Sequence, residues 1–202
     1  MTHTTKDRIL ETALSLFAHQ GYMATSMSDI ASQLGITKAA LYKHYTGKQE
    51  ILDRIVEQME QLDSDRAYAY DMPETVKHES VKDYLNIPVE KIRTYAVAQF
   101  NHWTNESFSS NFRKMLTLEQ YRSPRFAKLY QHYLATEPLT YIASIFRELT
   151  PSDETAMQLA LEFYGPMYLL YSIYDGADDK DSVIPLLNAH IDQIIQKIES
   201  LR

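Results

Sequence analysis

A chain of 202 residues with 45% apolar and 23% charged side chains can bury a full core, which excludes a disordered or low-complexity protein. It has no cysteine, so disulfides, thiolate zinc sites and cysteine nucleophiles are excluded together. No stretch approaches the roughly 18 apolar residues of a membrane span, and the first residues lack the cationic-then-apolar order of a secretory signal, which leads us to expect a cytoplasmic protein.

The net charge of −7 is unevenly spread. Up to Lys48 there are five Lys/Arg against three Asp/Glu, a balance of +2, which leaves −9 for the remainder. A mildly basic head on an acidic body can still face DNA with one end.

Strand-like alternation is hard to find, and the chain reads as all-α. A first helix over about 6–19 places Ile9, Ala13, Leu16 and Phe17 on one face and stops at Gly21. Ser26 with Asp29 three residues on predicts a capping box that opens a second helix, ended by Gly35. Thr37 caps a third, very short helix. Thr46 with Gln49 predicts another box, at the start of a long fourth helix toward Tyr70. A polar connector with room for a short helix follows Met72-Pro73. Further helices are expected at about 87–104, 107–121, 124–136, 138–149, 153–175 and 183–200, with prolines 88, 124, 138, 151 and 185 near their starts. Gly165-Pro166 is expected to interrupt and kink the helix that carries it.

Two short helices joined by a tight turn and braced by a third describe a helix-turn-helix. Ala31 is small where the two helices approach, Gly35 sits at the turn, and Ile30, Leu34, Ile36 and Leu41 form an apolar hinge. Thr37, Lys38, Ala39, Tyr42 and Lys43 are then left to point outward, a set of small, hydroxyl and basic side chains suited to base edges in the major groove.

The stretch "ILETALSLFAHQGYMATSMSDIASQLGITKAALYKHYTGKQEIL" is similar to the N-terminal pattern of the TetR-type transcriptional regulators: "F-A-x-x-G-Y", "T-S-M-S-D-I-A", "L-G-I-T-K-A-A-L-Y" and "H-Y-x-x-K-x-E-I-L" occur in order. The resemblance covers about residues 6–52, with Gly47 a departure from it. It implies a DNA-binding head over residues 1–47, and a ligand-binding and dimerisation domain over 48–202. It also implies that Thr37, Lys38 and Ala39 enter the major groove of double-stranded DNA. Tyr42, Lys43, His44, Thr25, Ser26 and Lys48 would then hold the backbone, and Tyr45 would pack beneath the third helix.

Beyond the head, Met157, Leu161, Tyr164, Tyr168 and Tyr171 repeat with 4-3-4-3 spacing, as do Leu187, Ile191, Ile194, Ile198 and Leu201. Each stripe has further apolar flanks, and the surplus invites a second copy of the chain. The expected homodimer face is Leu161, Tyr164, Tyr171, Leu187, Ile191, Ile194 and Ile198. Segments mixing aromatic, Met and polar residues lie on helices that the resemblance implies surround a cavity for a small apolar or aromatic effector. Phe100, Trp103, Met115, Leu118, Tyr121, Phe163, Met167 and Tyr168 would line it, with Gln99, His102 or Asn105 as polar anchors.

The expectation is therefore a ligand-responsive repressor that binds a palindromic operator as a homodimer, with no membrane, metal or cofactor. The alternatives are a helical protein-interaction module that does not bind DNA and, behind it, a small helical-bundle enzyme. Against the enzyme, no phosphate loop, G-x-S-x-G elbow, H-E-x-x-H or Glu-x-x-His pair is present.

Overall fold

The described residues form ten α-helices and no strands, and the reason lies in how each helix is started and stopped. The computed structural model describes residues 4–70, 89–147 and 149–200. Helix α1 (Thr5–Gln20) opens on a reciprocal Thr4–Asp7 capping box and closes at Gly21, whose N–H reaches Phe17 O at 3.0 Å. Helix α2 (Met27–Leu34) opens on the expected Ser26–Asp29 box. It closes at Gly35, which is left-handed at φ +68°, with Gly35 N–H to Ser32 O and Ile36 N–H to Ala31 O both at 3.0 Å. That double closure is a Schellman motif, and it turns the chain sharply into α3 (Lys38–Tyr42).

Helix α4 (Lys48–Ala69) starts differently from the expectation. Gly47 supplies no side-chain cap, and the partner of Thr46 is Glu50, not Gln49. The Thr46 backbone N–H and hydroxyl both donate to Glu50 Oε2 at 2.7 Å, while the Gln49 amide donates to Asp53 at 3.2 Å. The remaining helices are α5 (Val89–Thr104), α6 (Ser107–Glu119), α7 (Pro124–Leu134), α8 (Thr136–Arg147), α9 (Asp153–Gly176) and α10 (Ile184–Ser200), the last entered through a 3-10 turn over Lys180–Val183. The short helix expected after Met72-Pro73, together with Pro88 and Leu201, falls outside the described residues.

The chain divides into two compact units. The first gathers α1–α4 with residues 107–130, which hold α6 and the start of α7; the second gathers α5 with residues 131–200. By contacts, then, α4 goes with the head, a different cut from the division at residue 47 expected on functional grounds.

In the first unit, α1 is gripped by α2, α4 and α6. Ile9, Ala13, Leu14 and Phe17 from α1, Ile30 and Ala31 from α2, Leu41 from α3, and Ile51, Leu52, Ile55 and Met59 from α4 are all buried. Each large side chain contributes roughly 1.5–3 kcal/mol by leaving water, which lets helices too short to persist alone hold together. Two ties reach α7: Arg125 pairs with Asp53 at 2.5 Å, and the Tyr22 ring stands 5.1 Å from that of Phe126.

In the second unit, α9 packs on α8, α5 and α10. It runs unbroken through Pro166, contrary to the expected interruption. Pro166 and Glu162 are both exposed, so the Glu162 carbonyl that loses its helical donor is left facing water, where the loss costs least.

The two positive-φ glycines make a comparative prediction. At Gly35 a β-carbon would meet nothing within 4 Å, so Gly35→Ala carries only the left-handed backbone cost, about 1 kcal/mol. At Gly21, φ is +91° and a β-carbon would stand 2.7 Å from Glu119 Oε1, so Gly21→Ala costs about 3 kcal/mol. Chemical denaturation of the two variants measures the difference.

Candidate nucleic-acid interface

The outward face of the head is built on α3. Thr37 stands at its N-cap, its Oγ1 accepting the Ala40 N–H at 3.1 Å, which leaves the hydroxyl proton available to a partner. Leu41 is fully buried and anchors the helix, while Thr37, Lys38, Ala39, Tyr42 and Lys43 are exposed and His44 is half-buried. Lys38 Nζ lies 5.9 Å from the centre of the Tyr42 ring, within cation–π range. Burying one side chain of a five-residue helix and freeing five neighbours makes α3 a presenting element. Tyr45 is buried, as expected.

Three residues expected at the DNA backbone are otherwise engaged. Thr25 is only 1% exposed and its hydroxyl donates to Gly21 O at 2.9 Å, so its side chain serves the α1–α2 turn. Ser26 is exposed, but its Oγ accepts the Asp29 N–H and donates to Asp29 Oδ2 at 2.7 Å, which commits it to the cap. Lys48 departs furthest from its expected phosphate contact. Its ammonium turns inward and donates to the carbonyl oxygens of Tyr22 at 2.5 Å and Thr25 at 2.6 Å, 4.4 Å from the centre of the Tyr22 ring. Burial pulls its pKa below the ordinary lysine value, and the carboxylates of Glu119 and Asp29 pull it part of the way back. Lys48 is thus a post that fastens the α1–α2 turn to the start of α4.

The geometry of α1–α4 agrees with the comparisons to known proteins. Residues 9–55 match the family described as bacterial regulatory proteins, tetR family. Over 52 residues, 26% of this chain, the sequence is 44% identical to the biofilm operon icaADBC HTH-type negative transcriptional regulator IcaR of Staphylococcus epidermidis; the match spans 28% of that protein's length. A TetR-family transcriptional regulator from Marinobacter aquaeolei superposes with a TM-score of 0.65 at 20% identity, covering 99% of this chain and 100% of the other. A structure described as the SmeT–triclosan complex superposes with a TM-score of 0.60 at 17% identity, over 95% and 91% of the two chains. Residues 9–55 are thus similar to the head of the tetR family, and the fold is like that of solved TetR-family regulators.

The residues expected around an effector are divided between the two compact units. Met115 is buried on α6 of the first unit, but Leu118 (45% exposed) lies on the helix face away from Phe112, Met115, Leu116 and Glu119, and Tyr121 (90%) lies in the turn beyond the helix, so neither is enclosed. In the second unit Phe100, His102, Trp103, Phe163 and Met167 are buried, and Tyr168 is half-buried. The Phe100 ring stacks on Tyr171 at 5.6 Å, and Tyr168 meets Tyr171 at 6.0 Å. Gln99 donates to Tyr95 Oη at 2.6 Å, His102 Nδ1 stands 2.9 Å from Glu106 Oε2, and Asn105 accepts the Tyr174 hydroxyl.

The expected dimer face also needs correction. Tyr171, Leu187, Ile191, Ile194 and Ile198 are buried within the single chain, and Tyr164 is half-buried with its hydroxyl on Leu134 O at 2.9 Å. The α10 stripe from Leu187 to Ile198 is therefore this subunit's own core, whereas of the α9 stripe only Tyr171 is buried, with Met157, Tyr164 and Tyr168 half-buried and Leu161 exposed. What stays exposed is a row that shares only Leu161 with the expected face: Leu161, Leu169 and Ile173 on α9, with Gly165 between them, and Leu186 on α10. The signal was present, since Leu161, Gly165, Leu169 and Ile173 recur at four-residue steps, but the tyrosine-rich rows outweighed it.

Two outcomes follow. With its ammonium held on carbonyl oxygens, Lys48→Met is expected to lower the melting temperature of the head and to leave the slope of log affinity against log salt unchanged. The caps carry a pH signature. The Ser26 hydroxyl first and its backbone N–H second hold Asp29 below the ordinary aspartate range, and the Thr46 backbone N–H first and its hydroxyl second do the same for Glu50. With both pKa values depressed by folding, the stabilisation is complete above the unfolded values and is lost as pH falls through the folded ones. Amide shifts of Ser26 and Thr46 should therefore titrate below the pH at which these carboxylates titrate in unfolded peptides.

Proposed function

We propose that the protein is a sequence-specific transcriptional repressor that binds double-stranded DNA as a homodimer and is released by a small apolar or aromatic effector. The observation that carries this reading is the exposed α3, with Thr37, Lys38 and Ala39 at its leading end and Tyr42 and Lys43 alongside, on a head matched to the tetR family. Lys38 can donate to guanine O6 and N7, while Thr37 and Ala39 fit a thymine methyl; Lys43 and His44 serve the phosphates. The repressor sign is supported by the match to a negative regulator, IcaR. In functional terms residues 1–47 read DNA and residues 48–202 bind the effector and dimerise, although α4 belongs physically to the first compact unit.

For the second copy, the exposed row Leu161–Gly165–Leu169–Ile173 with Leu186 is the favoured face. Apolar side chains in helical register flank a glycine that lets a partner helix approach closely, and a two-fold axis through such a face pairs the row with itself. Two heads on that axis would read half-sites about 34–36 Å apart, or a multiple of it. The effector would lie among Phe100, Trp103, Phe163, Met167 and Tyr168, with Gln99 and His102 as polar partners. That SmeT, of similar fold, was solved with triclosan supports an aromatic ligand.

Selection of bound duplexes from a random DNA pool tests the reading. The expected result is a palindrome; an absence of enrichment would contradict it and favour an interaction module. On the selected duplex, Lys38→Ala should flatten preference at one base position, whereas Lys43→Ala should weaken all sequences alike and reduce the salt slope by about 1. Leu169→Arg should yield folded monomers in analytical ultracentrifugation and lose at least about tenfold in affinity for the palindrome. Dimers of unchanged strength would exclude this face.

A further inference from the structure

The α1–α2 turn is held from two sides by charges of opposite sign, and only one of them lies in the head. On α6, Phe112, Met115 and Leu116 make an apolar face, yet Glu119, which continues it, is fully buried. Its Oε1 accepts from Arg122 at 3.0 Å, and among the described residues its Oε2 meets no hydrogen-bond donor. A carboxylate so placed costs stability relative to an apolar side chain, so its retention asks for a role elsewhere. The carboxylate lies against Gly21, where any β-carbon would come within 2.7 Å of Oε1. The next residue, Tyr22, is the one whose carbonyl receives the Lys48 ammonium.

We propose that Glu119 is a positioning residue for the DNA-reading head: it fills the space that glycine leaves at position 21 and serves as the buried counter-charge to Lys48, so that α4 and α6 together fix the turn from which α2 and then α3 depart. The hydrogen bonds recorded for Lys48 all end on carbonyl oxygens, and its charge is answered at longer range by Glu119 and Asp29. Asp29 is already committed to the α2 cap, and Glu119, held by Arg122 through Oε1 alone, is the buried carboxylate left to oppose it. Arg122, about half exposed, holds one oxygen of Glu119, and Arg125 is spent on Asp53. Loss of the Glu119 charge would release Lys48 toward solvent and let the turn, and with it α2, shift.

This rests on the DNA-reading function proposed above, and the test separates the two. Full-length wild type, Glu119→Gln, Lys48→Met and the double variant are compared by amide hydrogen exchange at Thr25 and Ile30, and by affinity for the duplex that wild type selects. Glu119→Gln should keep or raise the melting temperature, since it removes a buried charge, while speeding exchange at Thr25 about tenfold and weakening the duplex by a similar factor. In the Lys48→Met background the same substitution should change neither reading further, and Glu119→Asp, which keeps the charge, should restore part of both. Unchanged exchange in Glu119→Gln, or effects that simply add to those of Lys48→Met, would overturn the proposal. Should wild type select no duplex at all, the regulatory reading falls while the exchange measurements still decide the role of Glu119.

Discussion

Everything outward-facing in this molecule depends on how α2 ends. A helix that closes through two tight backbone bonds onto a left-handed residue must turn, and at Gly35 the turn delivers Thr37 to the cap of a five-residue helix. Alone such a helix would not persist in water. Here it is clamped by one buried leucine and by the Ala31 and Ile30 surface of α2, so five neighbouring side chains can stay exposed without loss of order. The shortness of these elements answers a mechanical need, because a longer helix or a bulkier turn would cover the face that must reach a duplex.

A rigid presenting helix needs a fixed base. In this unit the base is made by side chains that bridge distant parts of the chain: Lys48 on three consecutive-turn carbonyls, Arg125 on Asp53, Tyr22 against Phe126, and Glu119 against the α-carbon of Gly21. Most of these sit around the α1–α2 turn and involve charge, which the apolar core cannot supply in a directed way. The cost of half-burying an ammonium is met by carbonyl acceptors and by nearby carboxylates, and a directional joint results.

Much of this was legible from sequence, for definite reasons. Caps and turns are local, so Ser26–Asp29, Thr37 and Gly35 announced α2 and α3 within a residue or so, and the outward set on α3 followed from which positions the hinge consumes. What failed was non-local or ambiguous. Nothing near Lys48 in sequence says that its ammonium will fold back onto residues 22–25, and a basic residue at a helix start reads equally well as a phosphate contact. Glu119 and Arg122 gave no signal, because their partner is a glycine in another part of the chain. On α9 apolar residues occupy three rows, so periodicity finds the helix but does not say which row is core; Phe163 and Tyr171 lie inward, while Leu161 and Leu169 stay out. That Leu118 and Tyr121 face water is not legible in sequence, because a segment's mix of aromatic, Met and polar residues does not say which side of α6 is enclosed.

The central claim is that the face of α3, and not the charged or apolar surfaces elsewhere, meets DNA. Amide and side-chain shift mapping by NMR, on titrating a selected duplex into the labelled protein, tests it most directly. The account requires the strongest perturbations at Thr37, Lys38, Ala39, Tyr42 and Lys43, with the Thr25 and Lys48 side chains still bonded as in the free protein. Strong perturbation confined to residues outside α2–α4, or a Lys48 ammonium that leaves its carbonyls for a phosphate, would contradict it.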